Sequence, residues 1–192
     1  MSSSNPSTKP QLAFLTVTGT EKGVFIGGLL VLNNFGRPLE FHCTAPVRPN
    51  RAQEILYGNT LAPFLCGEQI APALLTRCDS PLLAVLTDTP SVLASALLTS
   101  PCLLLLPSVT DSTSTTCDAS NAIPFVPGLK PSLFTTVTRG VRHLAVPTEF
   151  AAEPNSMSAL DDFLFSIDPA EPFERIRLAI EEAQRGSQGS AS

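Results

Sequence analysis

Apolar residues in the first quarter of the chain fall into three short runs. QLAFLTVTG (residues 11–19), GVFIGGLLVLN (23–33) and LEFHCTA (39–45) are each rich in strand-forming residues and predict three β-strands. NNFGRP (33–38) between the second and third reads as a tight turn, because Asn and Gly tolerate positive φ and Pro restarts an extended chain. Short connections make an antiparallel meander of the three. Gly27 and Gly28 fall in the middle of the second run, where paired glycines mark a bulge or a close backbone approach.

The pattern changes at Pro49. Asn50 and Gln53 are spaced as a capping box, which opens a helix at Arg51, and Gly58 fits its stop. Two short helical stretches follow at 61–66 and 68–77, with Pro63 and Pro72 near their first turns. PLLAVLTD (81–88) and CLLLLPS (102–108) show no alternation, as strands buried on both faces do. Thr89–Pro90 between them starts a helix with Val92, Leu93, Ala96 and Leu97 on its apolar stripe. A strand–helix–strand unit of this kind pairs its strands in parallel. SLFTTVTRG and VRHLAVP then form a closing hairpin around Arg139–Gly140.

Past Pro147 the spacing is helical again. Ser158 with Asp161 resembles a capping box, and Leu160, Phe163, Leu164 and Ile167 share a face. Asp168–Pro169 begins a second helix with Phe173, Ile176, Ile180 and Ala183 on its stripe, supported by Glu171–Arg175 and Glu181–Arg185 in the favourable i,i+4 order. The expected organisation is therefore a disordered N-terminus (1–10), a mixed α/β (α+β) domain (11–147) carrying a flexible Ser/Thr/Pro-rich loop (108–131), an acidic helical hairpin (148–186) and a disordered end (187–192).

Composition refines this. The 192 residues suit one domain with an appendage; 43 % are apolar and only 15 % charged, so the core is large and mostly aliphatic, with no Trp and one Tyr. Net charge is −5, concentrated late: residues 149–192 carry nine acids against Arg175, Arg177 and Arg185, whereas residues 1–107 balance six against six. No basic patch of the size that a phosphate backbone demands is visible, which argues against nucleic acid as a partner. Five cysteines without a CxxC, four of them among apolar neighbours and Cys117 in a polar stretch, read as reduced thiols in the cytoplasm. The start of the chain lacks the apolar run of a signal peptide, and no run is long enough to span a bilayer, so no membrane partner is expected.

Three places carry candidate chemistry. Glu40 and His42 alternate onto one face of the third strand, where a carboxylate could orient an imidazole, although an ordinary solvated sheet face explains the pair as well. Arg48, Asn50 and Arg51 stand at a helix start that would suit a phosphate or carboxylate, with Asn50's own capping role as the competing reading. Asp88 follows a buried strand, where ligands of parallel sheets gather, but TDTP is also an ordinary helix start. No metal site is expected: His42 and Cys43 are adjacent on a strand and point to opposite faces. GxSxG, Walker, GxGxxG and HExxH motifs are absent, no cofactor is implied, and no motif assigns the chain to a family.

The scarcity of cooperating ionisable groups leans away from an enzyme. It favours a non-catalytic binding or assembly module that docks a protein partner, or a second copy of itself, through Phe163, Phe173, Ile176 and Ile180 of the acidic tail. The alternative is a small enzyme or sensor that holds an anionic metabolite at Arg48 and Arg51, with Glu40, His42 or Asp88 moving a proton.

Overall fold

The computed structural model describes residues 11–20, 23–94, 100–107 and 123–189. Its centre is one seven-stranded sheet in the order β3-β2-β1-β4-β5-β7-β6. The strands are β1 (Gln11–Gly19), β2 (Phe25–Leu32), β3 (Pro38–Cys43), β4 (Leu82–Thr87), β5 (Cys102–Leu106), β6 (Phe134–Arg139) and β7 (Arg142–Pro147). β1 runs parallel to β4 and β4 to β5, and every other pairing is antiparallel. This is the mixed α+β architecture that the strand meander, the buried β4–β5 unit and the closing hairpin predict.

Local chemistry sets the meander. The Asn33 side chain accepts hydrogen bonds from the backbone of Phe35 and Arg37, and Gly36 takes the positive φ of 72° that closes the turn. At the far end of β2, the Thr44 hydroxyl accepts from the Gly27 N–H, and the Thr44 N–H donates to the Gly27 carbonyl.

Both faces of the sheet are covered, so its central strands lack alternation. On one face Leu12, Phe14, Leu30, Leu32, Leu86 and Leu103 meet α5 (Pro154–Ser166) and α6 (Glu171–Gly189). On the other, Ala13, Leu15, Leu29, Val31, Val85 and Leu104 meet the helical run of residues 51–75 and the turn Pro90–Ala94. The glycine pair is a close approach on both sides at once, not a bulge. Register between β1 and β2 is unbroken there, and Gly27 lies under Ile70 and Leu74 while Gly28 lies under Ile176 and Ile180.

Several boundaries differ from the sequence pattern. The run 51–75 is almost continuous: α1 (Arg51–Tyr57), a 3-10 turn, α2 (Leu61–Pro63), a π turn (Phe64–Ile70) and α3 (Ala71–Leu75). The π turn is closed by the Ala71 N–H donating to the Cys66 carbonyl, five residues back, and it turns Leu65, Cys66 and Ile70 into the core. Pro90–Ala94 is a 3-10 turn that buries Val92 and Leu93; Ala96 and Leu97 lie outside the described residues. The capping box at Ser158 does not form, because α5 already starts at Pro154, and Asp161 instead pairs with Arg139 of β6. A short α4 (Thr148–Ala151) joins β7 to α5, and α6 runs past Gly186 to Gly189. Of the loop 108–131, residues 123–131 are described, and Val126 there is buried.

Candidate acid–base site at the sheet edge

β3 is the edge strand, and its register with β2 sets His42 opposite Leu29 and Glu40 opposite Val31. Glu40 and His42 therefore share the face that the 51–75 run covers. A solvated face for this pair, with Phe41 and Cys43 in the core, is what strand alternation suggests; the structure differs. The turn after α3 comes back over the edge and half-buries the pair, leaving the side chains of His42 and Glu40 only 25 % and 19 % exposed. α6 crosses β1 and β2, so on the opposite face Leu39 and Phe41 stay largely open to solvent and Cys43 only flanks the core.

Glu40 is the hub of this cluster. Its Oε2 lies 3.0 Å from His42 Nε2 and accepts from the Asp79 N–H at 3.2 Å, while Oε1 accepts from the Ser80 hydroxyl. The bonds from His42, then Ser80, then Asp79 outweigh partial burial and hold the carboxyl at about 2, well below its usual range. An ionised carboxylate only accepts, so the shared hydrogen belongs to Nε2. That fixes the tautomer of neutral His42 and leaves Nδ1 as its proton acceptor. Among the described residues no other hydrogen bond engages the ring.

Neighbouring Cys78 donates weakly to the Ser80 carbonyl at 3.8 Å. Burial, with help from the nearby Glu40 charge, pushes its thiol up, so it is no ready nucleophile. Among the described residues no three His, Cys, Asp or Glu side chains converge to hold a metal ion.

The remaining sequence candidates lie elsewhere. Asp88 follows the last residue of β4, whereas Ser80 precedes the first; six residues of strand, about 20 Å, separate the two ends. Asp88 pairs with Arg177 of α6 and accepts from the Thr89 hydroxyl, which itself accepts from the Val17 N–H at 3.1 Å. It ties β1, β4 and α6 together and does not join Glu40.

Asn50 forms the capping box with Gln53, at 2.8 and 2.9 Å, and so occupies the helix start. Arg51 pairs with Glu54, and Arg48 is exposed. Seven-residue α1 buries nothing. Phe163, Phe173, Ile176 and Ile180 are all buried in the chain's own core, with Phe173 edge-on to Phe14 at 5.6 Å.

Sequence reasoning missed Asp79 and Ser80. The only local sign is that CDSP is turn chemistry ahead of a buried strand. Nothing in the sequence pairs that turn with a residue about forty positions earlier.

No protein-family model matches the chain, and no curated protein is similar to it in sequence. Solved structures are similar. Human ENDOV shares 15 % identity over 95 % of this chain and 87 % of its own, at a TM-score of 0.44. The Ciona intestinalis Endonuclease V, solved with a 24mer DNA containing an inosine followed by a ribo-adenosine, shares 11 % identity over 92 % of this chain and 88 % of its own, at a TM-score of 0.43.

The structure revises the functional expectations. The non-catalytic docking module fails, because the stripe that was to meet a partner is buried on the chain's own sheet. Its alternative placed an anion at Arg48 and Arg51, where the Asn50 side chain already occupies the helix start. The exclusion of nucleic acid is withdrawn as well, since it rested on bulk charge alone. As for membranes, no helix among the described residues is long and apolar enough to cross one.

Proposed function

We propose that the protein is an enzyme in which His42, oriented by Glu40, acts as a general base on an extended substrate lying along the β3 edge. The observation that carries this reading is the fixed Glu40 carboxylate, held by His42, Asp79 and Ser80 together. It keeps a negative charge against the ring, aims Nδ1 outward, and steadies the imidazolium that forms when Nδ1 takes a proton from water or a hydroxyl. Unpaired Cys43, Cys66, Cys78 and Cys102 support a reducing, cytoplasmic setting.

The test uses p-nitrophenyl acetate, bis(p-nitrophenyl) phosphate and a fluorescein-labelled single-stranded RNA. At least one should turn over, with a rate that rises with pH as a general base requires. H42A should lose about 100-fold or more, and E40Q a smaller factor with a displaced profile. Turnover of none of the three, or turnover indifferent to H42A, overturns the reading.

A further inference from the structure

A sizeable cavity lies far from Glu40. It has a volume of about 590 Å³ and sits between the turn Pro90–Ala94, the segment 128–134 and the junction of β7 with α4. Leu93, Leu129, Leu133 and Phe134 supply most of its wall, and Glu149 stands on its lining. Among the described residues no Lys, Arg or His lines it, and Glu149 has no hydrogen-bond or ion-pair partner.

We infer that this cavity binds a small amphipathic cation, an apolar body carrying a primary or substituted ammonium. The volume is that of a small-molecule site. The aliphatic and aromatic wall takes the body. Glu149 is exposed at the rim, where its carboxylate attracts a cation and repels an anion of the same shape through a surface-like effective dielectric. The polar residues present, Ser132 and Thr148, are neutral and do not cancel that preference.

The measurement is fluorescence of N-phenyl-1-naphthylamine on the full chain, with displacement by octylammonium, octanol and octanoate. Saturable fluorescence is expected, with octylammonium displacing the reporter at about a tenfold lower concentration than octanoate, and E149Q should abolish that gap. L129W should fill the cavity and weaken reporter binding about tenfold or more. Leu133, 59 % exposed at the mouth, supplies a second variant whose folding is not at stake: L133D should weaken the reporter likewise. No saturable signal, equal displacement by octylammonium and octanoate, or reporter binding untouched by L133D overturns the inference.

Discussion

Gly28 of β2 lies directly beneath Ile176 of α6. A Cβ placed there would fall inside the Ile176 side chain and within 2.9 Å of Ile180 Cδ1. On the other face a Cβ at Gly27 would strike Ile70 and come within 2.9 Å of Leu74 Cδ1. Two adjacent residues without side chains thus let a helix press on each side of the same strand. G28A and G27A should each destabilise the fold by about 1–3 kcal/mol through overpacking. Urea midpoints measure it, and G28A should be rescued in part by I176V, which removes a methyl from the crowded side chain. A G28A protein as stable as the parent would show that α6 is not seated as described.

The pair Asp88–Arg177 fastens α6 to the end of β4 that faces away from Glu40. Arg177 also bonds Glu174 at 2.9 Å, and Asp88 also holds Thr89, so the contact is a small network and not a lone surface pair. Both side chains keep some solvent access, which limits its worth to about 1 kcal/mol. D88N and R177Q should each cost about that much, and the double variant should cost no more than either alone. Amide hydrogen exchange near residues 17 and 87–90 should quicken in both single variants. Fully additive losses would mean that the two side chains do not act on each other.

What the chain spells out locally and what it hides can be separated here by residue. The turn at Asn33–Gly36, the Asn50–Gln53 cap and the buried character of β4 and β5 all depend on neighbours within a few positions, and each was legible. Glu40 was legible as a candidate, because alternation places it beside His42. The full depression of its carboxyl was not, since the bond from neighbouring His42 is joined by those from Ser80 and Asp79 on a turn that only the tertiary fold brings to β3. Exposure along β3 was misread for a related reason. Alternation fixes which residues share a face, but not that α6 stops short of Leu39 and Phe41 while the turn after α3 reaches over Glu40. The tail was misassigned because an amphipathic stripe shows only that it must be buried, not on what. Gly28 was the clue: a strand that omits its side chain opposite two isoleucines is built to receive a helix of its own chain.

The thiols should separate by burial. Cys102 is pushed up to about 12 and Cys66 to about 11, in both cases because the charged form would lose its hydration, and Cys78 is raised for the same first cause. Only the thiolate reacts, so at about pH 8 native Cys66 should alkylate with iodoacetamide about a hundredfold, and Cys102 about a thousandfold, more slowly than a free thiol. Half-buried Cys43 should label first among these four. Peptide mass spectrometry after timed quenching reads the order directly. Rapid labelling of Cys102 in folded protein would contradict a closed β4–β5 core.

Acid stability isolates Glu40. Its carboxyl sits at about 2 in the folded chain against an ordinary 4.5, first because of the bond from His42 and then because of those from Ser80 and the Asp79 backbone. A depressed pKa means that the folded state holds its proton less readily than the unfolded one. The resulting stabilisation is complete above about 4.5 and drains away as pH falls through the interval down to about 2. E40Q lacks this titration while keeping the side chain's size. The gap in urea midpoint between wild type and E40Q should therefore be widest near neutrality, narrow below about pH 4.5 and be nearly closed by about pH 2. H42A removes the largest cause, so in that variant the Glu40 carboxyl should titrate closer to its ordinary value, followed through its side-chain carbon by NMR. A gap that stays constant from neutral pH to acid would mean that Glu40 is not ionised against His42, and the outward-facing Nδ1 base would lose its footing with it.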